Sequence, residues 1–121
     1  MIIYSHPKCT TCKKALKWLE GNNIAFEVKD IREVYPSAEE LQALVEKSGL
    51  PLTKVFNTSG ELYRKLGLKD VIKTMETSKA MELLASDGML IKRPLLVSEE
   101  AVFFGFKEEQ YEQLLKGGLN D

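Results

Sequence analysis

The pattern of apolar and polar residues predicts a strand, a helix and a second strand at the start of the chain. The apolar stretch Ile2–Tyr4 predicts a buried strand, and Thr11–Gly21 carries apolar residues at helical spacing. Ala25–Val28 then predicts the second strand. A strand, a helix and a strand within about thirty residues form a βαβ unit, which favours parallel strands joined by a right-handed crossover.

The middle of the chain favours helices. Ser37 and Glu40 form a capping-box pattern that predicts the start of a helix, and Gly49 predicts its end. Three further helical segments are predicted after it: Ser59–Leu66, Lys69–Thr74 and Thr77–Ala85. We interpret residues 37–87 as a helical insert.

The last part of the chain predicts a β-hairpin followed by a helix. Pro94–Val97 and Ala101–Phe104 flank a short polar turn, and Lys107–Lys116 predicts the helix, with Gly117-Gly118 at its end. The predicted order is βαβ, helical insert and ββα. This order indicates an α/β protein with a single domain over residues 1–121.

Composition narrows the functional classes. The 121 residues are 44% hydrophobic and 29% charged, with a net charge of −1. This balance gives no general attraction to nucleic acid or to an anionic membrane. The sequence shows no signal segment and no apolar run of transmembrane length, so we expect a cytoplasmic protein. We also expect a monomer. In a reducing compartment, a pair of cysteines is more often catalytic, redox-sensing or metal-binding than a permanent disulfide.

The candidate chemistry lies in Cys9 and Cys12, the only cysteines of the chain, at the predicted junction of strand and helix. Free backbone N–H groups and the helix dipole stabilise a thiolate at a helix N-terminus. Positive charge nearby also lowers the pKa of a thiol, and here it is available from Lys8, Lys13 and Lys14. We therefore predict that Cys9 is a nucleophile and that Cys12, one turn later, is the resolving thiol.

Two other interpretations of the cysteine pair stay open. Both side chains could be small buried apolar groups, although lysines and threonines surround them. They could also be half of a zinc site, but there is no second cysteine pair and His6 is the only histidine. We expect no metal, and we expect His6, which precedes a proline, to be a loop residue and not a base.

Arg93-Pro94 is the second candidate motif, at the start of a predicted strand. The proline could simply begin the strand, where its missing N–H matters least. Alternatively, it could be a cis-proline that faces the cysteine loop and exposes backbone groups to a bound thiol or peptide. Arg93 could be a solvated surface cation or a clamp for an anion near the thiolate.

Three segments together resemble the arsenate reductase-like (ArsC/Spx) family: Tyr4–Cys12 (YSHPKCTTC), Tyr63–Leu68 (YRKLGL) and Leu90–Val97 (LIKRPLLV). The resemblance covers nearly the whole chain in the same order. It implies a thioredoxin-like fold, in which the βαβ and ββα halves form a four-stranded mixed sheet around the helical insert. It also implies that Pro94 is the cis-proline of that fold.

The resemblance implies roles for individual residues. Cys9 matches the nucleophilic cysteine of the arsenate reductases, and Arg93 matches an arginine that helps to bind the oxyanion. We expect Lys8, Thr11 and Pro94 to contact the substrate.

The chain departs from the glutaredoxin-dependent arsenate reductases in two respects. Their two other arginines fall near Asn57 and Phe106 here, and these enzymes generally have no cysteine at the position of Cys12. Loss of two guanidinium groups weakens the case for arsenate as the substrate. We therefore predict a thiol–disulfide oxidoreductase with no bound cofactor. An external dithiol or glutathione would reset it, with thioredoxin, glutaredoxin or glutathione as the candidate reductants.

The Cys-x-x-Cys form is similar to the Spx-type regulators, whose redox-switched module binds the C-terminal domain of the RNA polymerase α subunit. This sequence ends at Asp121 without the extended C-terminal segment of those regulators. No specific match marks Gly49–Thr53, where their partner-binding region is expected. A redox-switched regulator or adaptor is the alternative function.

Overall fold

The computed structural model describes the backbone of residues 1–120 and the side chains of residues 1–114. The strands are β1 (Ile2–Ser5), β2 (Glu27–Asp30), β3 (Leu95–Val97) and β4 (Val102–Phe104). The α-helices are α1 (Thr10–Gly21), α2 (Ala38–Ser48), α3 (Glu61–Lys65), α4 (Leu68–Val71), α5 (Thr77–Ser86) and α6 (Glu108–Asn120). Short 3₁₀ turns lie at Leu52–Lys54, Ile72–Thr74 and Gly88–Leu90.

The four strands form one mixed sheet in the order β2-β1-β3-β4. β1 pairs in parallel with β2 and antiparallel with β3, and β3 pairs antiparallel with β4. In the central pair Ile3 lies opposite Leu96, so the first and last thirds of the chain meet in the middle of the sheet. The predicted four-stranded mixed sheet is confirmed.

Alternation along the strands gives the sheet two buried faces. One face packs on α1 and α6 through a compact apolar cluster: Ile3, Ala15, Leu19, Leu96 and Tyr111. The other face packs on the helices between β2 and β3 through a larger cluster that includes Tyr4, Leu41, Leu84, Leu95 and Phe104. The sheet is thus the middle of three layers.

Helix α2 begins and ends as predicted. The Ser37 hydroxyl accepts a hydrogen bond from the Glu40 N–H at 3.2 Å, and the Glu40 carboxylate accepts one from the Ser37 N–H at 3.3 Å. Gly49 closes the helix in the left-handed conformation at φ +69°. Both signals are local, so the sequence alone was sufficient to place this helix.

The predicted bounds of β2 are wrong by two residues, since the strand runs over Glu27–Asp30 and not Ala25–Val28. Its position is set by pairing with β1, where Ile2 lies opposite Glu27. Because β2 is an edge strand, its residues are not fully buried, and Val28 is 51% exposed. The apolar pattern is therefore a weak guide to where it begins.

The predicted end of the last helix is also wrong, because the backbone of α6 continues through Gly117 and Gly118 to Asn120. Glycine inside a helix costs about 1 kcal/mol relative to alanine, which weakens a helix but does not end it. The predicted segment Lys69–Thr74 divides into α4 and the 3₁₀ turn Ile72–Thr74. None of the helices that the structure describes is long and apolar enough to cross a bilayer.

Candidate redox site

Cys9 lies at the N-cap of α1, directly after the loop that follows β1. Its Sγ accepts a hydrogen bond from the Cys12 N–H at 3.2 Å, as the oxygen of a serine or aspartate does at other helix starts. The preceding turn is closed by the Cys9 N–H, which donates to the His6 carbonyl at 3.1 Å. Local backbone geometry therefore aims the thiol at the free N–H groups of the helix.

His6 belongs to this turn and has no visible role as a base. Its Nδ1 accepts a hydrogen bond from the Lys8 N–H at 3.0 Å, which requires the unprotonated nitrogen. Burial and the nearby Arg93 lower the pKa of His6 and favour that neutral form. The prediction of a loop residue agrees with this geometry.

The two cysteines differ in exposure. Both are free thiols, Cys9 is partly exposed and Cys12 is completely buried beneath it. A substrate can therefore reach Cys9 directly, whereas Cys12 has no exposed surface for a substrate to contact. This geometry fits a nucleophile with a resolving partner.

Arg93 supplies the positive charge at Cys9. Burial raises the pKa of Cys9, but hydrogen bonds from the Cys12 thiol and amide and from Arg93, with the charge of Arg93, lower it below its ordinary value. Arg93 is half-buried, precedes the cis-Pro94 peptide bond and donates from Nη1 to the Met89 sulfur at 3.5 Å. The cis form expected from the family resemblance is confirmed.

The main influences on the Cys9 pKa are burial, Cys12 and Arg93. They do not include the three lysines that were expected to lower it: Lys8, Lys13 and Lys14. All three side chains are exposed, so water and salt screen their charges. The cation that lowers the pKa of Cys9 is instead the half-buried guanidinium of Arg93.

The pKa of Cys12 moves in the opposite direction. Burial and the hydrogen bond to Cys9 raise it to about 11, although the His6 backbone and the Ser5 side chain act against this rise. At neutral pH, Cys12 therefore stays a thiol, and its S–H donates a hydrogen bond to the Cys9 sulfur. The sequence did not single out Ser5, which is buried at the end of β1.

A cleft of about 370 Å³ opens beside Cys9. Its lining consists of Cys9, Thr11, Asn57, Ser59, Lys92, Arg93, Phe104, Gly105, Phe106 and Lys107. Thr11 thus lies where substrate contact was expected. Lys8 and Pro94 are not part of this lining, because Lys8 points to solvent and Pro94 is buried.

Two lysines of the cleft were not identified from the sequence. Lys92 precedes Arg93, and Lys107 follows β4 in the loop that contains Gly105. Burial lowers the pKa of the half-buried Lys92, and the charges of Lys54 and Lys107 lower it further. The position of Lys92 beside the Arg93-Pro94 motif was the one sequence signal that could have pointed to it.

Asn57 and Phe106 both line the cleft, and each side chain also contacts another residue of the protein. The Asn57 Nδ2 donates to the Met89 carbonyl at 3.3 Å. The Phe106 ring packs edge-on against Tyr111 with centroids 4.7 Å apart. An amide and an apolar ring therefore occupy the places where the resemblance sets two arginines.

Tyr111 connects this wall of the cleft to the core. Its hydroxyl donates to the Gly105 carbonyl at 3.1 Å, and burial raises its pKa strongly. Gly105 adopts φ +95°, and a Cβ there would lie 3.0 Å from the Lys92 side chain. The loop after β4 is thus fixed against the cleft.

Within the described part of the chain, no group of three or more His, Cys, Asp or Glu side chains is placed to hold a metal ion.

The model of the ArsC family matches residues 4–114. The chain belongs to the ArsC family.

The curated proteins to which the chain is similar include an uncharacterised protein and transcriptional regulators. Uncharacterized protein YusI of Bacillus subtilis is 54% identical over 113 residues, which are 93% of this chain and 96% of YusI. The global transcriptional regulator Spx of Enterococcus faecalis is 25% identical over 115 residues, which are 95% of this chain and 86% of Spx.

Solved structures of ArsC proteins confirm the thioredoxin-like fold. An ArsC family related protein from Bacteroides fragilis superposes with a TM-score of 0.89 at 45% identity, over 93% of this chain and 97% of that one. A possible arsenate reductase from Streptococcus mutans has a TM-score of 0.84 at 43% identity, over 92% and 96% of the two chains.

Replacing Arg93 with glutamine should raise the pKa of Cys9. The change removes a hydrogen bond and a positive charge from the thiolate, so alkylation at neutral pH should slow a few-fold and its pH midpoint should move upward. The measurement is the rate of iodoacetamide reaction against pH in the Cys12→Ser background. Lys13→Gln removes an exposed charge as a control, and an equal shift in both variants would contradict the role of Arg93.

Proposed function

We propose that this protein is a thiol–disulfide oxidoreductase in which Cys9 attacks the substrate and Cys12 resolves the product. The observation that carries the proposal is the asymmetric pair: an accessible thiol with a lowered pKa next to a buried thiol with a raised one. Reactive cysteines are found in such electropositive and partly exposed settings.

The reaction needs two exchange steps. The Cys9 thiolate attacks one sulfur of a substrate disulfide, the substrate S–S bond breaks, and the leaving thiolate takes up a proton. A mixed disulfide between Cys9 and the substrate remains. Cys12 then loses its proton and attacks the Cys9 sulfur, which releases the second substrate thiol and forms the Cys9–Cys12 disulfide. Thioredoxin, glutaredoxin or glutathione supplies the two electrons that restore both thiols.

The first step also prepares the second. While Cys9 is a thiolate, its hydrogen bond with Cys12 and its negative charge help to hold the Cys12 proton in place. Formation of the mixed disulfide removes that charge, so the pKa of Cys12 falls. The Ser5 side chain and the His6 backbone, which already favour the Cys12 anion, remain in place to stabilise it.

Disulfides suit this site better than arsenate does. Lys92 and Lys107 keep the cleft cationic, but an ammonium group cannot supply the two parallel donors with which a guanidinium binds an oxyanion. Asn57 and Phe106 contribute an amide and an apolar ring instead. Arg93 is left as the single guanidinium lining the cleft among the described residues.

Turnover with two substrates tests the proposal. The protein should reduce a small disulfide such as hydroxyethyl disulfide with glutathione or thioredoxin as the reductant. The rate is measured as NADPH consumption in a coupled assay. Arsenate with glutaredoxin should give no rate above that without the protein. Clear arsenate turnover, or no reduction of any disulfide, would overturn the proposal.

A redox-switched regulator is the second candidate, favoured by the similarity to Spx over 95% of the chain. In this case the state of the Cys9–Cys12 pair would control binding to the α subunit of RNA polymerase. A pull-down with that subunit, comparing the wild type with Cys9→Ser/Cys12→Ser, tests it. Disulfide turnover without redox-dependent binding would reject this candidate.

A further inference from the structure

We propose that the substrate disulfide is carried by a protein segment rich in aspartate and glutamate, and that the cationic cleft beside Cys9 binds this segment. The inference rests on the proposed function and names the class of its substrate. We call the surface formed by Lys92, Arg93 and Lys107 the cationic cleft.

The first argument is the distribution of charge. The chain has 17 basic and 18 acidic residues, yet its cleft at Cys9 is lined by three cations and, among the described residues, by no carboxylate. An adjoining cleft that shares Arg93 contains two carboxylates, Glu61 and Asp87, together with Arg64. Positive charge is therefore concentrated where the thiol reacts.

The second argument is that, among the described residues, no carboxylate forms an ion pair with Lys92, Arg93 or Lys107. In the part of the chain that the structure describes, the one ion pair joins Arg32 to Asp30 at 2.7 Å, away from the lining of the cleft. Lys92 is half-buried and lies in the field of Lys54 and Lys107, so like charges repel one another here. A ligand that brings carboxylates would relieve this repulsion and would be attracted from a distance.

The third argument favours a polypeptide over a small anion. Neither the N–H nor the carbonyl of Arg93 has a hydrogen-bond partner in the described part of the chain, so an extended segment can pair with both. The cleft also continues past Arg93, because the adjoining cleft of about 460 Å³ shares Asn57, Ser59 and Arg93 with it. Together they form one groove, which is cationic beside Cys9 and contains Glu61, Arg64 and Asp87 in its other part. We therefore expect the acidic side chains of the segment to bind in the part beside Cys9.

Activated peptides test this specificity. Two peptides carry one cysteine as a mixed disulfide with 2-thiopyridine, one flanked by glutamates and the other by lysines. The Cys9 thiolate attacks the peptide sulfur, forms the Cys9–peptide disulfide and releases 2-thiopyridone, which is followed by its absorbance. We expect the glutamate peptide to react about tenfold faster at low salt, and the difference to shrink at high salt.

Matched variants locate the effect. Lys107→Gln and Lys92→Gln should each reduce the preference for the glutamate peptide by about threefold. Lys79→Gln removes the same charge from an exposed lysine that lines a separate cleft on α5 and should preserve the preference. An equal loss in all three variants would mean a general charge effect and would overturn the proposal.

Two further probes separate the possible failures. If 2,2′-dithiodipyridine, which is neutral, reacts rapidly but the two peptides react alike, the acidic-segment proposal fails and the oxidoreductase proposal stands. If no probe reacts faster than with free cysteine, the oxidoreductase proposal itself fails. If the thiopyridyl disulfide of mercaptoacetate matches the glutamate peptide, one carboxylate is sufficient and the protein segment is excluded.

Discussion

Replacing Cys9 with serine should reduce disulfide turnover by at least about a thousandfold, because a hydroxyl is not ionised at neutral pH and cannot form the mixed disulfide. Serine is also a good N-cap, so its oxygen can accept the hydrogen bond that Cys9 Sγ accepts from the Cys12 N–H. The fold should therefore survive, and the melting temperature should stay within a few degrees of the wild type. Loss of activity with an unchanged melting temperature identifies a chemical role.

The matched variant Cys12→Ser should stop at the intermediate. Cys9 is still exposed and still attacks, but the buried serine cannot resolve the product, so the Cys9–substrate disulfide should accumulate. Intact-mass measurement after a short reaction shows it as an adduct of one substrate thiol. Wild-type turnover by Cys12→Ser would show that an external thiol resolves the adduct and that Cys12 has another role.

Alanine at Gly88 should destabilise the protein by at least about 3 kcal/mol, at the upper end of what overpacking costs. A Cβ at Gly88 would lie 1.9 Å from the Ile31 carbonyl oxygen and 2.9 Å from Cδ1 of Tyr35. The oxygen is backbone and cannot rotate away, so the loop after β2 must move. Urea unfolding followed by circular dichroism measures the loss.

Gly21 offers the control for this experiment. It is the last residue of α1, and a Cβ there would meet nothing within 4 Å. Alanine should be neutral or should stabilise the helix by up to about 1 kcal/mol. Equal destabilisation by Gly21→Ala and Gly88→Ala would show that close packing at Gly88 is not the cause.

Much of the fold could be predicted because its signals are local. The capping box at Ser37 and the left-handed Gly49 specify α2 within a few residues of sequence. The β3–β4 hairpin follows from two apolar runs around a polar turn. β2 was misplaced because an edge strand takes its bounds from its partner and has little apolar pattern of its own.

The candidate site could likewise be predicted where its residues belong to short sequence motifs. Cys9 and Cys12 form a local motif, and Arg93 was marked by its proline and by the family resemblance. Lys92 and Lys107 could not be found in this way, because they become neighbours only when the loop after β4 folds over the cleft. Their importance depends on tertiary contacts that no short motif contains.

The pairing of Ile3 with Leu96 has a consequence for the newly synthesised chain. β1 emerges from the ribosome first, together with Cys9, whereas β3 and Arg93 follow when translation is almost complete. Until β3 takes its place beside β1, Cys9 has no guanidinium beside it and keeps more of the character of an ordinary thiol. Cys9 thus gains its guanidinium neighbour only after most of the protein has been made.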